Sequence, residues 1–221
     1  MVIVLAALPH PVLAAPSPVT PVRGLAVLDL GSGLDLEGQG IIERPVNGAI
    51  HAAETPSIDT DQGVTFKMAT GSNLLARNGQ LTAGTFSFQG GVELSKGRKK
   101  VVLRALTLNV ATGQVTAVLG SKTQTVGTFP LRDVEVSAKR PGSLDAVITF
   151  GGPLTMNAQT VAGMDAALGS QLAQDVDQDT GIEVPMQIHA VMTLTSDLAA
   201  AFDLDLDAVQ DLDLDLGIHL L

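Results

Sequence analysis

The sequence predicts a mainly β fold, an antiparallel β-sandwich or barrel-like meander with one or two short helices near the C-terminal third. Apolar and polar residues alternate along much of the 221-residue chain, which is the pattern of strands with one buried face. The 23 glycines and 11 prolines are scattered among these alternations, as expected of short strands joined by tight turns. Because the chain has six Phe and no Trp or Tyr, its core is predicted to be aliphatic.

The clearest strands form a predicted β-meander over residues 79–120. Its first part carries an alternating apolar set, Phe86, Phe88, Val92 and Leu94. Between these pairs, Gly90 and Gly91 mark a bulge or bend. The turn KGRKK then leads to the strand VVLRALTLNV, and the turn ATG leads to the strand QVTAVLG. Alternation at 134–136 and 146–150 predicts that the sheet continues.

One helix is predicted over Asn157–Leu168. Its apolar residues fall at helical spacing, and Gly169 stands where a left-handed residue ends a helix. Alternation over 186–194 predicts a returning strand, and the segment TSDLAAAF at 195–202 predicts a short second helix. Near the start, alternation over 28–37 around the tripeptide GSG predicts two half-buried strands joined by a turn.

The chain is predicted to hold one globular domain, residues 24–200, preceded by a processed leader. Residues 1–15 (MVIVLAALPHPVLAA) are apolar, and a Val-x-Ala triplet at 12–14 suits a signal peptidase site. They are predicted to be a signal peptide, with a buried N-terminal strand as the alternative because no Lys or Arg precedes Arg23. Residues 16–23 (PSPVTPVR) are predicted to be an extended Pro-rich linker.

Residues 201–221 form a tail in which Asp and Leu alternate. In an extended chain the acidic side chains share one face and the leucines share the other. The acidic set is Asp203, Asp205, Asp207, Asp211, Asp213 and Asp215. The tail echoes LDLGSGLDLEG near the start of the chain, so it is predicted to be a terminal strand that pairs with that region.

Composition excludes several classes of function. The formal net charge of −10 argues against a nucleic-acid partner, since a phosphate backbone requires a basic face. The absence of Cys excludes a disulfide scaffold, a thiolate zinc site and a cysteine nucleophile. The leader is too short for a transmembrane helix, which needs about 18 or more apolar residues, and no other segment qualifies. With the predicted signal peptide at residues 1–15, the chain is predicted to be a secreted or cell-surface protein.

A calcium site is one candidate. Asp175, Asp177 and Asp179 stand on alternate residues, as do the carboxylates that begin a calcium loop. The second half of the loop pattern fails, because Thr180 takes the place of the turn glycine and Met186 takes the place of the final Glu. A solvated acidic loop is the alternative.

Two histidines, His51 and His189, are candidate ligands for a haem iron, since a neutral imidazole binds haem iron. Neither has a neighbour at the spacing of a metal site on one helix or strand. The sequence contains no G-x-S-x-G, H-E-x-x-H, Walker or G-x-G-x-x-G motif that follows a strand, so no catalytic residue is assigned.

Two segments resemble the HtaA-domain proteins of actinobacteria, the haem-transport-associated domain superfamily, and the similarity extends over residues 60–195. The first is NGQLTAGTFSFQGGVELSKGRKKVVLRALTLNVATGQVTAVLG, where the matching residues are Gly84, Gly90, Gly91, Leu94, Val102, Leu106, Leu108, Asn109, Thr112 and Gly113. The second is LTMNAQTVAGMDAALGSQLA, where they are Leu154, Thr155, Ala158, Asp165, Ala166, Ala167, Leu168 and Gly169.

The resemblance implies a secreted or surface-exposed β-rich domain, with haem capture in the characterised members. Those members use a tyrosine as the axial haem ligand, and this chain contains no Tyr. The resemblance therefore implies fold and compartment and supplies no ligand residue. Resident cofactors are not expected, with haem and Ca²⁺ as the alternatives.

Three classes of function follow in order of preference. The first is a non-catalytic secreted or cell-surface β-domain that acts by binding or contact with an unknown surface ligand or partner protein. The second is a protein that binds haem or another small ligand. The third is a hydrolase without a recognisable motif.

Overall fold

The computed structural model describes residues 16–52, 63–77, 80–138, 145–175 and 180–193. Within these ranges, fourteen strands form one antiparallel sheet, accompanied by one α-helix and one short 3-10 helix. The predicted mainly β fold, with its helix near the C-terminal third, is confirmed.

The strands follow one another along the chain with short connections. In order they are β1 (Ser17–Val19), β2 (Pro21–Leu28), β3 (Ile42–Val46), β4 (Ile50–His51), β5 (Val64–Met68), β6 (Asn73–Arg77), β7 (Gln80–Gln89), β8 (Gly91–Lys96), β9 (Lys99–Asn109), β10 (Gln114–Leu119), β11 (Lys122–Thr128), β12 (Arg132–Ala138), β13 (Asp145–Met156) and β14 (Ile182–Thr193). Helix α1 (Ala158–Leu168) and the 3-10 helix (Leu172–Asp175) lie between β13 and β14.

Eight of the strands close into a barrel, which decides between the sandwich and the barrel-like alternatives. The ring runs β7, β5, β2, β14, β13, β11, β10 and β9, and β9 pairs back to β7 through Phe86 and Leu108. Strand β9 changes its pairing partner from β8 to β7 at Ala105. The φ of Ala105 is 54°, in the left-handed region. The remaining strands extend the sheet outside this ring.

The barrel interior is filled with apolar side chains that alternate along each strand. Phe86 lies among them, with its ring 5.7 Å from Phe150 in an edge-to-face contact and 6.2 Å from Phe88. Helix α1 adds Val161 and Met164 to this core next to β9 and β11. The core is thus largely aliphatic, with a few phenylalanines inside it.

The predicted helix is confirmed, with a cap at each end. The Asn157 side chain accepts a hydrogen bond from the Thr160 backbone N–H at 2.7 Å, which satisfies a free donor at the N-terminus. At the other end Gly169 adopts φ 68°, the left-handed conformation that favours glycine. The Asp165 carboxylate accepts bonds from the backbone N–H groups of Leu172 and Ala173, and so joins the 3-10 helix to α1.

The predicted second strand around Leu34 and Leu36 is wrong. β2 ends at Leu28, and the chain then forms a series of turns. The Asp29 carboxylate accepts a bond from the Ser32 N–H at 3.0 Å, and a similar turn follows at residues 35–38. Short polar side chains that bind nearby backbone compete with sheet pairing, so Leu34 and Leu36 enter the core from a loop.

Residues 16–23, the interval predicted to be a linker, belong to the sheet. Ser17–Val19 pairs with β6, and β2 begins at Pro21. Pro18 is compatible with strand β1 because β1 is an edge strand of the sheet. The predicted signal peptide (1–15), the predicted short helix at 195–202 and the tail (201–221) lie outside the described residues.

Candidate binding face around His189

The structure does not bring the two candidate histidines together. His189 lies on β14 opposite Leu25, whereas His51 ends β4 opposite Val64 of β5. Two strands, β2 and β5, separate β4 from β14, which amounts to roughly 14 Å along the sheet at the usual strand spacing. His51 is exposed and His189 is half-buried. The two imidazoles are therefore separate candidates and not a pair of ligands for one iron.

His189 lies within a mostly apolar surface on the outside of the barrel, which we call the His189 face. Successive residues of β14 alternate between the core and this surface, so residues 188 and 190 point inward and His189 points outward. The face consists of the outward side chains of β2, β13 and β14, which are Leu25, Val27, Val147, Thr149, His189 and Val191. Its apolar members are nearly inaccessible, with Val191 only 1% exposed.

The imidazole of His189 is held by one hydrogen bond. Thr149, directly opposite on β13, places its Oγ1 3.2 Å from the His189 Nδ1 atom. The other ring nitrogen, Nε2, is buried and has no hydrogen-bond partner among the described residues. Burial lowers the pKa of His189 below its ordinary value of 6.5, so the ring is neutral at neutral pH.

This arrangement gives the ring a defined chemistry. When Nδ1 carries the proton and donates it to Thr149, Nε2 presents a free lone pair to the apolar face. A hydrogen bond to the ring nitrogen that does not bind the metal fixes the orientation and the tautomer of metal-binding histidines. The same atom is also able to accept a hydrogen bond from a ligand. Sequence alone missed Thr149, since only the β13–β14 register shows which residue faces His189.

A shallow groove of about 490 Å³ adjoins the face along the strand direction. Gln187, two residues from His189 on the same side of β14, forms the shared border. The loop after β2 forms one wall, where the Asp29 N–H donates to the Pro185 carbonyl at 3.0 Å. Gly33 packs so tightly here that an added Cβ would overlap the Glu183 carbonyl and the Val184 side chain. The groove thus approaches the His189 face at Gln187.

A pair of carboxyl groups lies near the start of this loop and was not predicted from the sequence. Burial, followed by the nearby Asp29 charge, raises the pKa of Glu43 from 4.5 to about 7. Asp29 itself is buried and accepts bonds from both the backbone N–H and the hydroxyl of Ser32. No sequence pattern joins these residues, because Glu43 lies on β3 and Asp29 follows β2.

The predicted calcium site lies mostly outside the described residues. Asp175 is the last residue of the 3-10 helix, and Asp177 and Asp179 lie outside the described residues. In the ranges that the structure does describe, no three His, Asp or Glu side chains form a group that could hold a metal ion. Within the same ranges, no helix is long and apolar enough to cross a membrane.

No protein-family model matches this chain, and no curated protein matches it. One solved structure with a similar fold is the C-terminal domain of HtaA from Corynebacterium glutamicum. The two chains are 13% identical, with a TM-score of 0.49 over 80% of this chain and 99% of that one. The likeness is distant, and no ligand or residue role is taken from it.

Proposed function

We propose that this chain is a non-catalytic, extracytoplasmic β-domain that works by binding, and that the His189 face is its binding surface. The observation that carries the proposal is the His189 Nε2 atom, which is buried among apolar side chains and has no partner in the part of the chain that the structure describes. Leaving a buried polar atom unsatisfied costs about 1–3 kcal/mol. Such atoms are rare in native proteins, and a role in binding is one reason to keep one.

The filled interior of the barrel also favours an outer binding surface. Large side chains from opposite walls, such as Phe66, Phe86 and Phe150, are fully buried inside the ring. Small eight-stranded barrels either hold a ligand inside or fill the interior with side chains, and the described interior belongs to the second kind. A filled interior favours the outer side of β2, β13 and β14 as the contact surface.

The second candidate is haem binding, with His189 as an axial ligand. The neutral ring and its unpartnered Nε2 favour it, because imidazole nitrogen is a common haem ligand. Thr149 would hold the orientation of the ring through Nδ1. Bound haem would supply its iron chemistry, and the protein would hold and orient it. The resemblance to HtaA domains points to the same ligand, although the tyrosine of that family is missing.

The experiment compares haemin, zinc protoporphyrin and metal-free protoporphyrin as probes of the purified full-length protein. A ligand that binds only the native state raises the melting temperature. We expect all three probes to raise it, and we expect haemin and zinc protoporphyrin, but not the metal-free ring, to give a shifted Soret band that His189→Ala abolishes. His51→Ala is the matched control and keeps the band.

The outcomes separate the two candidates. A melting temperature that rises with all three probes, together with a Soret band that does not depend on His189, would leave the binding face in place and overturn haem ligation by His189. No rise with any probe would overturn both the haem candidate and the face as a site for apolar small ligands.

The extracytoplasmic compartment is tested separately by expressing the chain with its own N-terminus in an actinobacterial host. We expect the protein in the culture medium, with residues 1–15 removed, because that segment matches a signal peptide. Protein that stays in the cells and still begins at Met1 would contradict the proposal.

A further inference from the structure

The end of the β8–β9 hairpin concentrates positive charge in an acidic chain. Five of the 13 Lys and Arg residues lie between residues 96 and 104, although the formal net charge of the chain is −10. β8 and its neighbour β3 lie outside the closed ring, so the hairpin belongs to the part of the sheet that extends beyond the barrel. We define the basic tip as the residues at this end, which are Ile42, Lys96, Arg98, Lys99 and Lys100.

The strand register brings the cations of the basic tip together. Lys96 lies directly opposite Lys99, next to the turn that contains Arg98, and Lys100 follows on the same strand. Like charges directly opposite each other destabilise a strand pair, so the stability of the hairpin does not explain this arrangement. Lysines on an edge strand discourage the addition of further strands, but the edge strand here is β3.

Contacts within the protein account for part of the charge at the basic tip. Lys96 donates a hydrogen bond to the side-chain oxygen of Gln39 at 3.5 Å. Lys100 forms an ion pair with Glu93 at 3.2 Å, but its side chain remains 67% exposed. An exposed ion pair of this kind is weak, and the Lys100 ammonium therefore stays available to another anion.

The two remaining cations are exposed. Lys99 lies beside the C-terminal end of α1, where an added Cβ on Gly169 would be 2.5 Å from the Lys99 Nζ atom. The negative end of the helix dipole favours a cation there. Arg98 has no ion-pair partner within the described ranges. The basic tip thus presents more positive charge than its neighbours in the described chain neutralise.

Ile42 adds an exposed apolar side chain to these cations. It is 53% exposed and lies on the same side of the sheet as Lys100, because Ser95 is directly opposite both residues. A membrane interface binds such a combination, since the headgroups of anionic lipids attract the cations and the interfacial layer takes up the apolar side chain. A soluble polyanion would bind the cations alone. Ile42 therefore favours a lipid surface as the partner.

We propose that the basic tip docks this protein on the surface of an anionic membrane, with its cations at the lipid phosphates and Ile42 in the interfacial layer. The acidic residues elsewhere in the chain do not prevent this contact, because at 0.1 M salt charges more than about 10 Å away are largely screened. The basic tip belongs to β3, β8 and β9, whereas the His189 face belongs to β2, β13 and β14. The proposal is therefore independent of what the His189 face binds.

Co-sedimentation of the purified full-length protein with lipid vesicles tests the contact. Vesicles with about one third phosphatidylglycerol should bind it at least about tenfold more tightly than vesicles of pure phosphatidylcholine. Arg98→Gln combined with Lys100→Gln should weaken this binding at least about tenfold, since each cation near the surface contributes about fivefold.

The control for charge is Arg23→Gln combined with Lys67→Gln. It removes the same charge from exposed residues of β2 and β5, and it should bind the vesicles as the natural protein does. Equal binding to both kinds of vesicle would overturn the proposal. An equal loss of binding in the two double variants would also overturn it, because the position of the cations would then have no effect.

Long-chain polyphosphate tests a soluble polyanion as the alternative partner. Ile42→Ser should weaken binding to the phosphatidylglycerol vesicles at least about threefold, because less apolar surface leaves water, and should leave polyphosphate binding unchanged. An Ile42→Ser variant that binds vesicles as tightly as the natural protein would overturn the membrane assignment. Polyphosphate binding that requires Arg98 and Lys100 would in that case identify a polyanion as the partner.

A fluorescence measurement reports directly on the contact of position 42 with lipid. The natural chain has no Trp, so Ile42→Trp introduces a single reporter. We expect its emission to shift to shorter wavelength with phosphatidylglycerol vesicles and to be quenched by brominated lipid. Val22→Trp is the control, because Val22 is 65% exposed on β2, outside the basic tip, and should show neither effect. An Ile42→Trp emission that the vesicles leave unchanged would contradict the proposal.

Discussion

Glu43→Gln is the substitution whose effect on stability follows most directly from the structure. The Glu43 carboxyl is desolvated and faces the Asp29 charge, and together these raise its pKa from 4.5 to about 7. Between these two values the folded protein binds more protons than the unfolded chain, so stability falls as the pH rises from 4.5 to 7. Above pH 7 the cost of the ionised carboxylate is fully present.

The size of that cost follows from the same shift. Each tenfold change in proton affinity is worth 1.36 kcal/mol, so the upper limit for Glu43 is roughly 3 kcal/mol. Because the side chain is not completely buried, we expect about 1–3 kcal/mol. Glu43→Gln removes the charge and keeps the shape, so the variant should be more stable than the natural protein by this amount at pH 8.

Urea denaturation at pH 5 and pH 8 measures the effect. The difference in unfolding free energy between Glu43→Gln and the natural protein should be about a quarter of its full value at pH 5 and should reach the full value at pH 8. Glu37→Gln is the matched control, since Glu37 is exposed in the loop after β2 and should show little difference at either pH. A Glu43→Gln variant that gains nothing at pH 8, or gains equally at both pH values, would refute the reasoning.

Three further substitutions test other parts of the structure. Gly84→Ala should lower stability by more than about 2 kcal/mol in urea denaturation, because Gly84 has φ 113° and an added Cβ would overlap the Asn73 carbonyl; an equally stable variant would contradict the pairing of β6 with β7. Asp165→Ala should cost about 1–3 kcal/mol by thermal unfolding, since it frees the backbone donors of the 3-10 helix, and an unchanged melting temperature would show that the carboxylate does not hold this turn. His189→Gln should reduce the loss of stability below pH 6.5, because burial lowers the pKa of His189 and the folded protein therefore resists protonation there. A variant with the same pH dependence of stability as the natural protein would show that the ring is exposed to solvent.

Much of the sheet is predictable from the sequence because its strands have one apolar face. The alternation in β7, β9, β13 and β14 follows directly from burial on one side, and the helix is marked by Asn157 and Gly169 at its ends. Closure of the barrel is not predictable in this way. It depends on the pairing of β7 with β9 after the backbone turns at Ala105, a residue with no turn signal of its own.

The wrong strand at Leu34 and Leu36 shows where the period-two pattern fails. Alternation of Leu with Asp is equally compatible with a strand and with a loop in which Asp caps successive turns. The hydrogen bonds of Asp29 and Asp35 to nearby backbone N–H groups stabilise the loop conformation.

The candidate site was only partly predictable for a related reason. His189 was identified as a residue on the polar side of its strand, but its surroundings come from β2 and β13, which are distant in sequence. When each strand is considered alone, its alternating pattern predicts that the outward face is exposed to solvent. Burial of Val147 and Val191 on that face, and the position of Thr149 beside the ring, depend on the register between strands.

Nitrogen-15 NMR of the histidine side chains tests the central claim, which is that His189 offers a free ring nitrogen to a ligand on the outer face. In the full-length protein we expect His189 to be a neutral ring with its proton on Nδ1 and a pKa below 6.5. Adding diamagnetic zinc protoporphyrin should shift the His189 Nε2 resonance and leave His51 unchanged. A proton on Nε2, an ordinary pKa, or an Nε2 resonance that no probe moves would contradict the account.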